Sequence, residues 1–503
     1  MTQYGGFCFF KKNDKIYKLN MEKKFYITTS IAYTNAPPHI GFAFELLQAD
    51  VLARYYHQEG DDVFFLTGTD EHGLKIERAA RKSGKSPIEF TNEISSKFQL
   101  LTKRLNISND DFIRTTDKKK HWPTVNKVWK LLLKKGDIYK KNYKGFYCVG
   151  CEAFLKEKDL VNGKCPNHQK KPEIVEEENY FFRLSKYVDN VKKELERGDI
   201  RIIPETRKKE ILSFIKQGVE DISISRSKEK LSWGIPVPED KDQTIYVWFD
   251  ALLNYISALG YDKNSEKFKK YWPADVQCIG KDIFRFHALM WPAILIALDL
   301  PRPKNILVHG FITVEGQKMS KSLGNVVDPF ELIDKFGSDA VRYFLLREIP
   351  STEDGDFSPK RFKERYNSDL AFGLGNLVSR VLKLANISNF KFSNYNQFSN
   401  KNFQKIINKT QNQYKKSLEN FKFNESLASI WELISYCDKY IEKEKPWELL
   451  KDSKNQKANN VLSDLFIAIG KIADFLEPFL PKTSKEIKNQ LKNKKQNLLF
   501  PRM

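Results

Sequence analysis

The first residues with the spacing of a chemical motif form the segment 37–42 (PPHIGF), which contains His39 and Gly41. This segment lies between a predicted strand and a predicted helix, where backbone N–H groups and the positive end of the helix dipole attract phosphate. Gly41 has no Cβ, so the backbone there can approach a nucleotide closely. A lone His-x-Gly triplet is more often an ordinary turn, so this segment predicts a phosphate site only in combination with a second motif.

That second motif is the segment 318–322 (KMSKS), in the turn region after Gly310. Lys318 and Lys321 on a mobile loop can hold a leaving pyrophosphate and neutralise charge as the α-phosphate becomes five-coordinate. A solvated basic turn could have the same residues. The order of the two motifs and their separation make the pair far more specific than either one alone.

A metal site is predicted in the middle of the chain, where Cys148-x-x-Cys151 precedes Cys165-x-x-His168. Each of these pairs presents two ligands on one short turn, which suits tetrahedral zinc. Four protein ligands leave no open coordination position. The predicted zinc is therefore structural, and one ion per chain is expected.

The nucleotide motif belongs to a predicted βαβ unit. Residues 25–30 (FYITTS) and 62–67 (DVFFLT) are rich in β-branched and aromatic residues and predict two strands. Between them, apolar residues at helical spacing predict an amphipathic helix. A βαβ unit implies a parallel sheet whose ligand site lies at the carboxyl ends of the strands. The helical apolar residues are Phe44, Leu47, Val51 and Tyr55.

The α/β pattern stops in a Lys/Glu-rich, cysteine-bearing stretch and then resumes with predicted strands at 244–249, 276–279 and 305–309 and a helix at about 283–298. After about residue 366 the strand patterns vanish, and helical spacing predicts an all-α bundle. The predicted segments are an amino-terminal extension (1–23), a catalytic domain in two halves (24–138 and 236–312), an insertion (139–235), a connecting region with the KMSKS loop (313–365) and the bundle (366–503).

The composition is that of a multidomain globular protein with a basic surface. A chain of 503 residues is too long for one hydrophobic core, and no apolar window of about 18 residues predicts a membrane span. The net charge of +21 suits a polyanionic partner, although an A+T-rich genome would also produce a lysine-rich chain. Cys8, Cys278 and Cys437 are isolated and predict reduced thiols, which fits a cytoplasmic protein.

The amino-terminal 20 residues are basic but lack an apolar core long enough for a secretory signal. Met21 directly precedes the first predicted strand. Both Met1 and Met21 therefore remain possible starts, and a short organelle presequence is a further alternative.

Together the motifs resemble the methionyl-tRNA synthetase family of the class I aminoacyl-tRNA synthetases, over about residues 25–480. The resemblance implies a class I α/β, Rossmann-type catalytic domain split by a zinc-binding insertion and followed by an all-α anticodon-binding bundle. In this family the insertion orients the acceptor end of the tRNA. The stretches that carry the resemblance are 33–41 (YTNAPPHIG), 67–73 (TGTDEHG), 246–251 (YVWFDA), 280–282 (GKD) and 318–325 (KMSKSLGN).

The resemblance implies a two-step reaction. The methionine carboxylate attacks the α-phosphate of ATP and releases pyrophosphate, and a ribose hydroxyl of the 3′-terminal adenosine of tRNA(Met) then attacks the methionyl-adenylate and releases AMP. Magnesium is expected with the ATP. Catalysis is assigned to His39, Lys318 and Lys321. The residues expected to bind ATP are His39, Gly41, Phe42, Lys281, Asp282, Lys318 and Lys321.

The methionine site is also assigned by resemblance. Asp70 is expected to bind the α-ammonium group beside the Ile31 backbone, and aromatic side chains are expected around the thioether, which packs well against rings. Without the surrounding motifs, the same aromatic residues and His287 would be read as ordinary core residues. The full expected set is Ile31, Tyr33, Asp70, Trp248, Ala251, Tyr255, Asp282 and His287.

One residue departs from the family pattern. The signature normally ends in a second histidine, thought to contact the phosphates of ATP, and Phe42 stands at that position. Phe42 cannot donate a hydrogen bond, which predicts slower adenylate formation without inactivity. It also motivates an alternative function, a tRNA-binding paralogue with impaired catalysis.

The resemblance assigns anticodon recognition to Asn376, Arg380 and Trp447 in the bundle, which present base-edge hydrogen bonds and a stacking surface. Asp438 replaces a usual asparagine, which puts one secondary contact in doubt. Longer family members add a dimerisation domain, so a monomer near 58.8 kDa is expected.

Synthetases for other amino acids are weaker alternatives. About 280 residues separate His39 from Lys318, too few for the editing domain of the leucine, isoleucine and valine enzymes. A cysteine enzyme would need an open zinc in its amino-acid pocket, and the four predicted ligands close this one.

Overall fold

The computed structural model describes residues 23–150, 153–155, 157, 160–166, 169–319, 324–388, 390, 398–451 and 456–503. The predicted extension 1–23, apart from residue 23, lies outside these residues. Cys151, His168 and Lys321 also lie outside them, so their predicted roles are not described by the structure. None of the helices in the described ranges has the length and hydropathy needed to cross a bilayer.

The first half of the catalytic domain alternates strands and helices, as the sequence predicts. His39 caps the first helix through its own side chain, and a capping box of Ser86 and Glu89 begins the third. The elements are β1 (Lys24–Tyr33), α1 (Ile40–Gln58), β2 (Asp62–Asp70), α2 (Leu74–Lys82), α3 (Pro87–Arg104), β3 (Asp111–Arg114) and α4 (Trp122–Lys134).

The middle of the chain forms a separate antiparallel sheet of four strands in the order β5-β4-β6-β8. Its long hairpin runs from the pair Ile138 and Phe182 to the pair Tyr147 and Glu173. The elements are β4 (Ile138–Cys148), β5 (Ala153–Leu155), β6 (Glu173–Phe182), α5 (Leu184–Arg197), β7 (Arg201–Ile203), α6 (Glu205–Lys216), β8 (Ile222–Ser223), β9 (Ser225–Ser227), β10 (Pro236–Val237) and β11 (Asp240–Ile245).

The second half of the catalytic domain returns to the parallel sheet. A π-helical turn at Phe286–Met290 leads directly into α10. The elements are α7 (Val247–Leu252), α8 (Asn254–Ser257), α9 (Glu266–Tyr271), β12 (Val276–Gly280), α10 (Trp291–Ala297), β13 (Asn305–His309), β14 (Ile312–Val314) and β15 (Gln317–Lys318).

The main sheet has six parallel strands in the order β3-β2-β1-β12-β13-β7. Strand β1 lies between β2 and β12, so the chain proceeds outward from β1 in both directions. Such a point of reversal opens a crevice at the carboxyl ends of the strands, where ligands bind in sheets of this kind. The crevice lies between the segment after β1, which holds His39, and the segment after β12, which holds Asp282.

Helices cover both faces of this sheet. Phe25 and Ile27 of β1 pack in one core with α1 and with helices of the carboxyl-terminal region. Tyr26, on the opposite face, packs in a second core with α4, α5 and α10. Burial on both faces explains why these strands read as nearly continuous apolar runs.

Two elements differ from the sequence prediction. The strand predicted at 244–249 ends at Ile245, and α7 begins at Val247; a short apolar run does not distinguish a buried strand from a buried helix. Strand β7 lies inside the predicted insertion 139–235, yet it pairs with β13 in the main sheet. Its three residues are too few to show a strand periodicity.

The carboxyl-terminal region is helical, as predicted, after a short connection. Arg342, which is fully buried, joins it to the catalytic domain: its guanidinium lies 2.7 Å from the Asp50 carboxylate on α1 and donates to the carbonyls of Pro478 and Phe479. The elements are α11 (Pro329–Phe336), α12 (Ser338–Glu348), β16 (Gly355–Phe357), α13 (Pro359–Arg365), a π-helical segment (Tyr366–Gly375), α14 (Asn376–Ile387), α15 (Lys401–Glu419), α16 (Phe423–Glu444), α17 (Pro446–Leu449), α18 (Gln456–Leu476) and α19 (Pro481–Asn493).

Candidate active site

His39 stands at the amino end of α1, with one edge open to the crevice. Its Nδ1 accepts a hydrogen bond from the Gly41 N–H at 3.0 Å, so Nε2 carries the proton in the neutral ring. Partial desolvation lowers the pKa of His39, while Asp282 raises it and His309 lowers it further. The imidazole is therefore a neutral N–H donor at the positive end of the α1 dipole, an arrangement suited to phosphate.

Gly41 makes this placement of the ring possible. A Cβ at Gly41 would lie 2.8 Å from Cε1 of His39 and 2.9 Å from Nδ1. Any other residue at this position would push the ring away from the helix axis. The packing of His39 thus requires glycine here, and the close approach of the Gly41 backbone to a nucleotide stays a prediction.

The KMSKS segment begins beside the same helix start. The Cε of Met319 lies 3.9 Å from the point where a Gly41 Cβ would stand, and the Ile40 amide donates to the Val327 carbonyl at 3.3 Å. The described residues on both sides of the loop therefore contact the His39 segment. Lys318 is exposed, and its ammonium lies 4.9 Å from the centroid of the Phe311 ring.

Lys281 and Asp282 follow β12 at the edge of the crevice. The Lys281 ammonium lies 2.6 Å from the Asp354 carboxylate and 4.3 Å from the centroid of the same Phe311 ring. Asp282 is exposed and contributes to the field at His39. The structure thus places Lys281, Asp282, Lys318 and His39 around one crevice, and their roles in binding ATP stay predictions.

A buried pair that the sequence analysis missed lies beneath this crevice. One oxygen of Glu45 on α1 accepts from the N–H and the hydroxyl of Ser30 at 2.7 and 2.6 Å, and the other lies 2.9 Å from Nε2 of His309. Nδ1 of His309 lies 2.7 Å from the Gly310 carbonyl. Burial opposes a charge on His309, but the Glu45 carboxylate and this carbonyl outweigh it and raise the pKa of His309. Its position at the carboxyl end of a parallel strand, β13, was the available signal.

The residues predicted to surround a thioether come together on one side of the crevice. Trp248 stacks on Phe286 with ring centroids 4.0 Å apart, and the Tyr255 hydroxyl lies 2.8 Å from Nε2 of His287. Nδ1 of His287 lies 3.1 Å from the Ile283 carbonyl. A carbonyl only accepts, so Nδ1 carries the proton and Tyr255 donates to Nε2. Ala251 is buried on the same helix as Trp248.

These side chains form an uncharged pocket. Burial lowers the pKa of His287 to about 4, so the imidazole is neutral near pH 7. Burial also raises the pKa of Tyr255 far above its usual value. Phe286, which the sequence analysis missed, lies next to His287 in the π-helical turn. The three- or four-residue periodicity of an α-helix does not predict the direction of a side chain in such a turn.

Asp70 lies at the carboxyl end of β2, next to the end of β1. Its register partner is Tyr33, and Ile31 pairs with Gly68 two positions earlier. The Asp70 carbonyl accepts from the N–H and the hydroxyl of Thr34 at 3.0 and 3.1 Å, which fixes the backbone of the two strand ends together. Ile31, Tyr33 and Asp70 are therefore neighbours, and their roles in binding methionine stay predictions.

The Phe42 side chain is not isolated at the crevice but packs against other apolar side chains. Its ring meets the Phe98 ring edge-on at 5.1 Å, in an apolar cluster with Ala32 and Ile94. Phe98 and Ile94 lie on α3, so Phe42 anchors the start of α1 to that helix. The loss of a histidine donor is accompanied by a packing contact.

The predicted metal segment is described in part. Cys148 ends β4, and both Cys148 and Cys165 are buried, at 3% and 0% exposure. The Cys165 N–H donates to the Lys170 carbonyl and its own carbonyl accepts from the Gln169 N–H, which closes a tight turn around Cys165. Among the described residues no cluster of three metal ligands is found, and two of the four predicted ligands lie outside them.

The three predicted anticodon residues lie on two helices of the bundle. Asn376 and Arg380 are on α14, and Trp447, which is 40% exposed, is on α17. The Arg380 guanidinium lies 2.6 Å from Glu442 and 3.9 Å from Asp438 on α16. Burial raises the pKa of Asp438 to about 6; Arg380 opposes this shift and Glu442 adds to it.

Comparisons with known proteins agree with this arrangement. Residues 25–171 and 158–382 match the family of class I tRNA synthetases (M), and residues 400–501 match the anticodon-binding domain of tRNA ligases. The methionine–tRNA ligase of Caldanaerobacter subterraneus subsp. tengcongensis is 47% identical over 94% of this chain and 74% of its own length. That of Thermotoga maritima is 44% identical over 92% of this chain and 74% of its own.

A solved structure is similar over nearly the whole chain. Mycobacterium tuberculosis methionyl-tRNA synthetase, in complex with methionyl-adenylate, superposes with a TM-score of 0.90 at 37% identity. The match covers 95% of this chain and 100% of that one. With the parallel sheet, the His39 crevice and the helical bundle, these matches show that the chain belongs to the class I tRNA synthetases, in the methionine–tRNA ligase family.

Proposed function

We propose that this protein activates methionine with ATP and transfers it to the 3′-terminal adenosine of tRNA(Met). The observation that carries the proposal is the contact of the His39 segment with both ends of the KMSKS loop, through Met319 and Val327, beside the neutral pocket of Trp248, Tyr255 and His287. One crevice would thus offer a phosphate site and an apolar site next to each other.

In the first step, the methionine carboxylate attacks the α-phosphate and pyrophosphate leaves. The Nε2–H of His39, at the positive end of the α1 dipole, would hold a phosphate oxygen as it gains charge, and Lys318 would approach the leaving group from the loop. Glu45 raises the pKa of His309, so this buried pair favours positive charge on the imidazole beneath the site. Fixed donors of this kind stabilise a transition state without reorganising during the reaction. Lys321 is proposed to assist as a second loop cation, and Mg²⁺ would screen the triphosphate.

Methionine selection is proposed to rest on Asp70 and on the aromatic pocket. Asp70 would pair with the α-ammonium group beside the Ile31 and Tyr33 backbone. The pocket presents no charge, and the Tyr255 proton is already donated to His287. A substrate side chain that needs strong hydrogen bonds would therefore lose them on entry, whereas a thioether loses little.

Amino-acid-dependent pyrophosphate exchange tests this function directly. Each of the 20 amino acids is assayed separately, and aminoacylation of tRNA(Met) follows with the active one. We expect exchange with methionine alone. Exchange with another amino acid would identify a different synthetase, and tRNA binding without exchange would support the alternative of an impaired paralogue, which rests on Phe42.

The Phe42→His variant tests what the departure from the family motif costs. We expect exchange per folded molecule to rise about three- to tenfold, because one added hydrogen-bond donor contributes about 0.5–1.5 kcal/mol. The free energy of unfolding should fall by about 1–2 kcal/mol, because the Phe98 contact is lost. Phe42→Leu is the matched control, apolar and without a donor. An unchanged or lower exchange rate in Phe42→His refutes the prediction that the missing histidine donor slows adenylate formation.

One structural zinc is proposed at Cys148, Cys151, Cys165 and His168. The two described cysteines fit such a group, because both thiols are buried, Cys148 at the end of β4 and Cys165 in a tight turn. The ion would cross-link the insertion and thereby hold the surface that orients the tRNA acceptor end.

We expect about one zinc per purified chain and much less in Cys148→Ser, whose insertion should become sensitive to proteolysis. Cys437→Ser, at a buried thiol of the bundle, is the control and should keep its zinc. A wild-type protein with well under one zinc, or a Cys148→Ser variant as stable as wild type after chelation, contradicts the proposal.

Anticodon recognition is proposed for Asn376, Arg380 and Trp447, with Asp438 as an opposing charge. Since the pKa of Asp438 is about 6, the carboxyl is ionised above that pH and then offers only acceptors. Affinity for the tRNA(Met) anticodon stem-loop should fall as the pH rises through about 6. Asp438→Asn should remove this step and bind about three- to tenfold tighter at pH 7.5.

Fluorescence titration with the stem-loop at pH 5.5 and 7.5 measures this effect. Asp61→Asn removes the same charge in the catalytic domain and should leave the affinity unchanged. The role given to Asp438 is wrong if Asp438→Asn binds no better than wild type at pH 7.5.

A further inference from the structure

A buried carboxylate beneath the pocket holds two histidines that the mechanism does not use. Asp250 on α7 is fully buried, and its two oxygens lie 2.7 Å from Nδ1 of His72 and 2.7 Å from Nε2 of His121. Nδ1 of His121 in turn lies 2.8 Å from the Ser257 hydroxyl. A carboxylate only accepts, so both imidazoles donate to Asp250.

This network joins separate segments of the catalytic domain. His72 follows β2, His121 precedes α4, Asp250 lies on α7 and Ser257 ends α8. The two histidines and Ser257 are themselves buried, at 2% exposure or less. A buried charge with several short hydrogen bonds fixes its partners tightly, because breaking one bond leaves a desolvated polar group.

Three members of the network each stand two residues after a residue assigned to methionine. His72 follows Asp70, Asp250 follows Trp248, and Ser257 follows Tyr255. The network therefore connects the backbone of the ammonium-binding carboxylate with the backbones of two pocket rings. The His72 ring is further enclosed edge-on by Trp122 and Trp233, at 6.1 and 5.5 Å.

We infer that Asp250 is a positioning residue that sets the distance between Asp70 and the aromatic pocket, and so fixes how an amino acid's ammonium group and side chain are bound together. This inference rests on the proposed function. Asp250 acts through His72, His121 and Ser257, and its effect falls on methionine binding and selectivity, while the ATP contacts at His39 lie on other segments.

Pyrophosphate exchange by the full-length protein tests this assignment. Asp250→Asn can accept from only one imidazole N–H and presents its own N–H₂ to the other. We expect the KM for methionine to rise about tenfold or more, with the KM for ATP within about twofold of wild type. Selectivity for methionine over norleucine, measured as the ratio of kcat/KM values, should fall as well.

Asp464→Asn is the matched control. Asp464 is also fully buried and accepts from the Ser399 N–H and hydroxyl at 2.7 Å, but it lies in the helical bundle. The control should lose stability without a change in the KM for methionine. Equal rises in the KM values for methionine and ATP in Asp250→Asn, or the same methionine effect in Asp464→Asn, would overturn the inference.

A second pair of variants serves if Asp250→Asn does not fold. His72→Asn keeps a donor close to the place of Nδ1, whereas His72→Phe keeps the ring shape and removes the donor. We expect the KM for methionine to rise in His72→Phe and to be largely restored in His72→Asn. A His72→Phe variant with wild-type KM for methionine refutes the inference. If the wild-type protein shows no methionine-dependent pyrophosphate exchange, the proposed function is refuted instead. The two failures are therefore distinguishable.

Discussion

Replacing His39 with Ala is expected to lower kcat for methionine-dependent pyrophosphate exchange about 100- to 1000-fold, the usual cost of losing one fixed transition-state donor. The KM for methionine should change little, because the aromatic pocket lies on other segments. The reason is geometric: Nδ1 of His39 accepts from the Gly41 amide, so its Nε2–H is held at the start of α1. Burst and steady-state exchange rates measure the effect.

The Gly41→Ala variant tests whether the position of the His39 ring matters, because the ring is still present. The added methyl would lie 2.8 Å from Cε1 of His39 and displace the imidazole without removing it. We expect a loss of kcat within about tenfold of that in His39→Ala. Gly470→Ala is the control, because nothing lies within 4 Å of a Cβ at that helical position. Full activity in Gly41→Ala would mean that the placement of His39 does not matter.

The second large effect is expected at Asp70. Asp70→Asn should raise the KM for methionine about 10- to 100-fold, because a charge-assisted hydrogen bond contributes about 1.5–3 kcal/mol. The weaker binding of methionine should come specifically from the lost contact with its ammonium group. Wild type should bind methionine more tightly than 4-methylthiobutanoate, which lacks that group, and Asp70→Asn should bind the two alike.

Asp62→Asn provides the comparison for this experiment. Asp62 lies at the opposite end of the same strand, where it accepts from the Tyr271 hydroxyl at 2.7 Å, far along β2 from the crevice. It should lower stability without changing the preference for the ammonium group. If Asp70→Asn still prefers methionine over the deaminated analogue as strongly as wild type, Asp70 is not the ammonium ligand.

The parts of the fold that were predicted well are those with a strong local pattern. The strand at Asn305–His309 has the predicted bounds, and β1, α1 and β2 are present where β-branched runs and helical spacing place them. The sequence therefore predicts that the motif residues at the carboxyl ends of these strands lie at one crevice. In a parallel sheet, strand ends that are far apart in sequence lie at the same edge.

The parts that were missed depend on tertiary contacts. A pair such as Glu45 and His309 is separated by 264 positions, and no local pattern connects them. Phe286 faces Trp248 because a π-helical turn shifts its direction. Helix α7 has the composition of a strand, and the buried environment decides between the two. The sequence shows at Phe42 only the loss of a hydrogen-bond donor, whereas the structure shows its contact with Phe98.

The most direct test of the account is a crystal structure of the protein with methionine and a non-hydrolysable ATP analogue. The account predicts the triphosphate between His39 and the loop that begins at Lys318, the methionine ammonium at Asp70, and the thioether against Trp248, Tyr255 and His287. Either ligand bound in another place, or a methionine side chain outside that aromatic pocket, would contradict it.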